Sequence, residues 1–283
     1  MRILMTGGTG LIGSALTKAL LSQGCQVTIL SRSPQKHEAG LPGATLVKWD
    51  GRTPEGWGQL IETTDVVINL AGASIAGDGL SRILTQRWSD EVKQRILQSR
   101  TDAGQALVQA ISAAENKPRL LIQSSAVGYY GPRGSEKVTE DSPPGSDFVS
   151  QVCVEWEEST QAVEAMGVRR VILRTGLVLT TDGGILPIML LPFKLFVGGP
   201  LGSGKQGIPW IHIQDEVQTI VHLLEDESAQ GAYNLSAPTP VSNAQFGKVA
   251  GKVLRRPSFF PTPGFALKLA LGEKATLVLD GQY

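Results

Sequence analysis

The sequence predicts an α/β protein: a doubly wound parallel sheet with a smaller C-terminal lobe interleaved into it. Three observations carry this reading. Short apolar runs alternate with helical patterns up to about residue 180, the rhythm of βαβ units. Those runs are continuously apolar rather than alternating, as in strands covered on both faces. The first run opens through a glycine-spaced turn directly into a helix, the context a dinucleotide-binding loop requires.

Residues 2–6 are a short apolar strand. Residues 11–23 set Ile12, Ala15, Leu16, Ala19 and Leu20 on one helical face, and Gly24 stops that helix. Val27-Thr28-Ile29-Leu30, Leu46-Val47-Lys48-Trp49 and Asp65-Val66-Val67-Ile68-Asn69-Leu70 are the next three strands. Residues 88–115 form a long helix carrying Val92, Ile96, Ala103, Leu107, Ala110 and Ile111 at helical spacing. Arg119-Leu120-Leu121-Ile122-Gln123 is the fifth strand. The Gly-, Pro- and Ser-rich stretch 126–147 is a long loop, and such loops in compact domains usually serve a function. A helix over 148–166 and the strand Val171-Ile172-Leu173 follow.

Beyond about residue 180 the pattern weakens, and Gly and Pro punctuate Gly183 to Pro209. One helix presents Ile213, Val217, Ile220, Val221 and Leu224 on one face, and another covers 243–254. The expected division is therefore residues 1–180 as the nucleotide-binding part and 181–283 as a substrate lobe. No Ser/Gly tether separates them, so the lobe is interleaved rather than appended.

Composition removes other classes. A chain of 283 residues holds one large or two modest domains. Its 26 basic and 26 acidic residues cancel, which argues against nucleic acid as a partner. No apolar stretch approaches the roughly 18 residues of a membrane span, so no membrane partner is expected. Met1 to Met5 run straight into Thr6-Gly7-Gly8, too short for a signal-peptide core. Cys25 and Cys153 make neither a disulfide framework nor a metal cluster. A reduced, cytoplasmic protein without a metal, acting on a small molecule, is expected.

The turn Thr6-Gly7-Gly8-Thr9-Gly10-Leu11-Ile12-Gly13 carries the strongest chemical signal. Gly7, Gly10 and Gly13 supply a tight turn, close approach to a pyrophosphate, and close helix–strand packing. The helix N-terminus offers free N–H groups and partial positive charge. This makes the sheet a Rossmann-type one. No Gly-Lys-Ser/Thr occurs here, which disfavours a triphosphatase. Where an acidic side chain would meet a free ribose 2′-hydroxyl, the second strand ends in Ser31-Arg32-Ser33. A guanidinium there grips a 2′-phosphate, so NADP(H) is expected over NAD(H). Asp50 reaches the adenine amino group or simply forms the turn before Gly51. Small Ala71 and Gly72 after Leu70 let a dinucleotide lie against backbone. Thr6, Thr9, Ser124 and Leu177 complete the expected cofactor-binding set.

With these residues stand Ser124-Ser125-Ala126-Val127-Gly128-Tyr129-Tyr130-Gly131 and Arg174-Thr175-Gly176-Leu177-Val178-Leu179. Together they resemble the extended, atypical short-chain dehydrogenases/reductases of sugar-nucleotide-epimerase type. Gly198-Gly199-Pro200-Leu201-Gly202-Ser203-Gly204-Lys205-Gln206, Pro209-Trp210-Ile211-His212-Ile213 and Gly231 to Pro238 narrow the resemblance. They are similar to the epimerase-like subfamily of the human member 1 of family 39U, some of whose bacterial members carry a cell-division-inhibitor label. The resemblance covers nearly the whole chain. It implies a nicotinamide at the carboxyl edge of the sheet and a serine with a Tyr-x-x-x-Lys pair. It also implies a further segment and a final helix beyond Tyr283, so the chain is expected to be truncated there, with apolar surface near Phe259, Phe265, Leu269 and Leu277 uncovered. Such relatives often dimerise through two helices, which offers the helix at 88–115 as a homodimer surface.

One departure is plain. Ser124 or Ser125 matches the serine, but the helix that should carry the pair reads Asp147-Phe148-Val149-Ser150-Gln151-Val152-Cys153 and has neither tyrosine nor lysine. Substitutes are Tyr129 or Tyr130 on the loop, and Lys205 and His212 in the second lobe. Glu155 and Glu157 are either bases or a solvated helix face. Arg100 and Arg174 hold an anionic substrate group or cap carbonyls. Gly199 and Trp210 line the substrate lobe. Cys153 is a small buried residue rather than a nucleophile. Two functions stay open: an NADP(H)-dependent oxidoreductase or epimerase for a small carbonyl or hydroxyl substrate, and a non-catalytic NADP(H)-sensing module or regulator.

Overall fold

A computed structural model describes residues 1–77 and 85–283. Seven parallel strands form the main sheet in the order β10-β6-β5-β4-β1-β2-β3. They are β1 (Arg2–Thr6), β2 (Gln26–Ser31), β3 (Thr45–Lys48), β4 (Val66–Asn69), β5 (Leu120–Ala126), β6 (Arg169–Thr175) and β10 (Gly231–Leu235). The chain winds outward from β1 to β3, crosses back to β4, and continues outward the other way. That reversal beside β1 opens a crevice at the carboxyl ends of the strands, where such sheets bind ligands.

Helices cover both faces, which is why the strands are apolar throughout. On one face α1 (Leu11–Ser22) packs against α5 (Ile213–Glu225). Their Leu16, Leu20, Val217, Ile220, Val221 and Leu224 join Ile3, Met5, Ile68, Ile122 and Leu173 of the sheet in one core. Full burial of each such side chain contributes roughly 1.5–3 kcal/mol. On the other face α2 (Asp90–Ala113), capped by Ser89 on Val92, lays Ala103, Leu107, Ala110 and Ile111 over Leu4, Val67 and Leu121. Beside it runs α3 (Phe148–Glu158), capped by Asp147 on Ser150.

Most expected elements appear within a few residues of their anticipated ends. The helix expected over 148–166 is an exception: it stops at Glu158, and a separate 3-10 turn covers Gln161–Met166. The Ser159 and Thr160 hydroxyls donate back to the carbonyls of Trp156 and Glu157, an alternative to helix continuation. Gly104 of α2 packs against Ser159 at that break.

The division expected at residue 180 is not a clean cut. Helix α5 and β10 return to the main sheet. The second lobe comprises α4 (Leu186–Lys194), α6 (Asn243–Leu254), α7 (Gly264–Leu271) and two small sheets. One pairs β8 (Gly207–Ile208) with β11 (Val241–Ser242), and the other pairs β7 (Leu177–Leu179) with β9 (Trp210–His212). Ser242 and Gln245 form a reciprocal capping box on α6. Phe259, Phe265, Leu269 and Leu277 are exposed. No helix among the described residues is long and apolar enough to cross a membrane.

Candidate functional site

The crevice is built from β1 outward. Thr6 ends β1, and Gly7 then turns with φ +67°, a left-handed conformation that glycine adopts freely. A Cβ on Gly13 would lie 2.3 Å from the Gly7 carbonyl oxygen, so α1 enters the turn too closely for any side chain. Gly10 is the extended N-cap of α1, no side chain caps it, and the first turn contains no acid. The donors of Leu11, Ile12 and Gly13 therefore face the crevice with the positive end of the helix dipole. Glycine cradle and uncapped helix together fit a pyrophosphate.

The neighbouring strand ends complete the rim. Ser31 ends β2 and takes the Ser33 N–H on its hydroxyl. Arg32 follows and is exposed. Asp50, after β3, accepts from the N–H groups of Arg52 and Thr53 and from the Thr53 hydroxyl. Its carboxylate is thus spent on its own turn, the second of the two roles expected for it. After β4, Leu70 and Ala71 press against Gly7, and Gly72 lies directly over the Arg100 guanidinium. Beneath the rim runs a buried polar chain: Thr6 donates to Asn69 at 2.6 Å, Asn69 to Gln123 at 2.9 Å, and Gln123 to the Ser124 carbonyl at 2.7 Å.

The two serines of β5 point to opposite faces, as successive strand residues must. Ser125 is buried and donates at 2.6 Å to Glu157 of α3. The Ser124 hydroxyl makes no hydrogen bond within the described residues. Glu157 is buried and bound to Arg174 through both oxygens, at 2.9 and 3.0 Å. It is neither a free base nor part of a solvated face. Arg174 also donates to the Tyr130 hydroxyl at 3.0 Å and stacks 3.6 Å from the Tyr129 ring centroid. Tyr130 in turn donates to Asn234 at 2.6 Å and is fully buried. Burial raises its pKa against the pull of Arg174. These groups form a closed structural network, so the Tyr130 proton and the Arg174 charge are committed within the protein.

Arg100 takes the capping role of the two expected for it. It is buried, donates to the carbonyls of Ala73 and Ile96, and lies 4.7 Å from the Trp156 ring centroid. Burial lowers its pKa to about 10. Cys153 is buried beside it, and burial pushes its thiol up to about 12, so it is no nucleophile at neutral pH.

The second-lobe residues gather on β7, β9 and the adjoining loop. Leu177 donates its N–H to the Pro209 carbonyl at 2.7 Å. Trp210 is half-buried, its indole turned to Thr239. His212 caps α5, its Nδ1 accepting from Gln214, which leaves the neutral ring's proton on Nε2. Lys205 is exposed and its carbonyl accepts from Tyr283. Gly199 abuts the Phe260 carbonyl. At the opposite, amino edge of the sheet lies a cavity of about 360 Å³ beside the Arg2–Asp65 ion pair, without a glycine cradle.

A protein-family model described as the NAD dependent epimerase/dehydratase family matches residues 3–236. The chain belongs to that family. It is 42 % identical over 285 residues to the epimerase family protein YfhF of Bacillus subtilis, spanning 100 % of this chain and 89 % of that one. It is 39 % identical to the chloroplastic SDR39U1 homolog of Arabidopsis thaliana, spanning 100 % of this chain and 79 % of that protein. The crystal structure of human epimerase family protein SDR39U1 with NADPH superposes with a TM-score of 0.87 at 36 % identity, covering 100 % of this chain and 90 % of that one. UDP-glucuronic acid 4-epimerase from Bacillus cereus shares the fold, with a TM-score of 0.75 at 20 % identity. Within this epimerase family the present chain keeps the nucleotide loop, while α3 carries no tyrosine or lysine.

Residues that sequence reasoning passed over include Gln123, Glu216 and, as a site residue, Lys48. Each is a polar residue in or next to an apolar run, a signal that was present but ambiguous.

Proposed function

We propose that this epimerase-family chain is an NADP(H)-dependent oxidoreductase or epimerase acting on a small carbonyl or hydroxyl compound. The observation that carries the reading is the uncapped, acid-free start of α1 over a glycine cradle, with Arg32 rather than an acid at the end of β2. The NADPH complex of the human relative supports it. A bound nicotinamide would supply or accept hydride. The α1 donors would hold the pyrophosphate, and Arg32 the 2′-phosphate. Ser124 is the hydroxyl on β5 free to orient a substrate oxygen. Lys205 and His212 are exposed polar groups of the second lobe suited to an anionic or proton-accepting part of the substrate. Cys25 and Cys153 are unpaired, which suits a reducing compartment such as the cytoplasm.

A second reading, an NADP(H) sensor, is favoured by two observations: the family's proton-transfer pair is absent from α3, and Tyr130 is locked between Arg174 and Asn234. Titration with NADPH followed by incubation with sugars, quinones and ketones separates the two. Stereospecific loss of a C4 deuterium from labelled NADPH supports the enzyme. Tight binding with neither label transfer from NADPH nor hydride transfer to NADP+ across the panel supports the sensor, and no binding overturns both.

A further inference from the structure

We propose that Lys48 is a second cation of the ribose-phosphate corner and, with Arg32, sets the preference for a 2′-phosphorylated dinucleotide. The proposal rests on the NADP(H) reading above and names a determinant that the phosphate loop does not contain. Strands β2 and β3 end side by side, with Ser31 opposite Lys48 in register. Lys48 is exposed, and its ammonium reaches across the end of β2 to donate to the Arg32 backbone carbonyl. The amine therefore sits at the residue whose side chain would read the ribose. An ammonium has three donors, so two remain after that bond. The Arg32 side chain runs back over the same corner, its Cδ 3.7 Å from the Cβ position of Gly51. Guanidinium stem and ammonium thus meet at the paired ends of β2 and β3.

A phosphomonoester carries about −1.5 to −2 at pH 7, which one guanidinium leaves partly uncompensated. Two neighbouring charged groups, Asp50 and Arg52, are engaged elsewhere. Asp50 is turned into its own loop. Arg52 faces Asp102 at 3.6 Å. Lys48 is a cation within reach that can complete the neutralisation, and its bond to the Arg32 carbonyl ties it to the first cation.

The test is equilibrium titration of the full chain with NADPH and with NADH, for wild type, Lys48→Met, Lys48→Arg and Arg32→Ala. Lys48→Met is expected to weaken NADPH about tenfold while NADH changes by less than about twofold, the size of one charge-assisted contact. The dependence of NADPH affinity on salt should flatten with it, and Lys48→Arg should keep most of the preference. The proposal is overturned if Lys48→Met leaves the NADPH-to-NADH ratio within about twofold of wild type, a change too small for a charge-assisted contact. Equal loss of both affinities means that the lysine merely holds the turn, and also overturns it. If wild type shows no preference and Arg32→Ala is silent, the NADP(H) reading itself fails, a result distinct from silence at Lys48 alone.

Discussion

Arg174 donates two parallel hydrogen bonds to Glu157, Nε to Oε1 at 2.9 Å and Nη2 to Oε2 at 3.0 Å, with both side chains buried. Residues 17 apart in sequence thereby tie the end of β6 to α3. A buried pair adds little over apolar replacements, but breaking one partner is costly. Arg174→Met should lower unfolding free energy by about 3–5 kcal/mol, and the double variant with Glu157→Met should recover much of it. Urea denaturation measures both. A single-variant loss below about 1 kcal/mol, the value of an exposed pair, would show that the pair does not close this end of the sheet.

Glu216 of α5 gives a pH dependence. It is buried, accepts from Thr175 at 2.8 Å, and among the described residues has no hydrogen-bond partner on Oε2. Burial pushes its carboxyl up to about 7 from an ordinary 4.5, against the pull of the Thr175 hydroxyl. Above pH 4.5 the unfolded chain releases a proton that the folded chain keeps. Its contribution therefore worsens as pH rises toward 7 and levels off beyond, by about 3 kcal/mol in all. Glu216→Gln should match wild type in acid and exceed it at pH 8. Stability curves that run parallel from acid to pH 8 would contradict the assignment.

Gly13→Ala tests the cradle. Its Cβ would lie 2.3 Å from the Gly7 oxygen and 2.6 Å from the Gly8 Cα, so the turn must open. Wild type should gain about 2.7 kcal/mol of stability at NADPH a hundredfold above its Kd. The variant should fold and gain almost none. An undiminished gain in a thermal melt would mean the phosphates bind elsewhere.

Gly72 and Arg100 should behave as a coupled pair. A Cβ at residue 72 would stand 2.9 Å from the Arg100 Cζ, and the guanidinium has little room to withdraw because Ala73 and Ile96 hold it. Gly72→Ala is expected to cost about 1–3 kcal/mol by overpacking. In the presence of Arg100→Met that cost should shrink by about 1 kcal/mol or more. Strict additivity in the double-mutant cycle would place the two side chains out of contact.

The sheet and its nucleotide loop were legible because their signals are local: apolar runs, helical spacing, and glycines three apart at the first turn. The chemistry beneath was less so. Ser125, Glu157, Arg174 and Tyr130 meet only through tertiary packing, and a charged residue on an amphipathic helix reads as solvated. A signal did exist, since Ser150, Cys153 and Glu157 share one helical face and all are buried. Asp50 and Arg100 each had two readings, and in each case backbone groups within reach decided between them. The break after Glu158 depends on hydroxyls bonding back to carbonyls, which spacing alone does not reveal.

The serines of β5 separate structure from chemistry. Ser125 supplies a 2.6 Å hydrogen bond to a buried carboxylate, so Ser125→Ala leaves Glu157 one donor short and should cost about 1–3 kcal/mol. It should leave substrate-dependent NADPH oxidation within a few-fold of wild type. The Ser124 hydroxyl has no partner among the described residues, so Ser124→Ala should melt as wild type does. If its hydroxyl orients the substrate oxygen, turnover should fall about a hundredfold, the usual yield of one positioned donor or proton-transfer group. Melting curves and initial rates on the same two variants read both quantities. Turnover that follows Ser125 while ignoring Ser124 would reverse the assignment and move the substrate to the α3 side of the sheet.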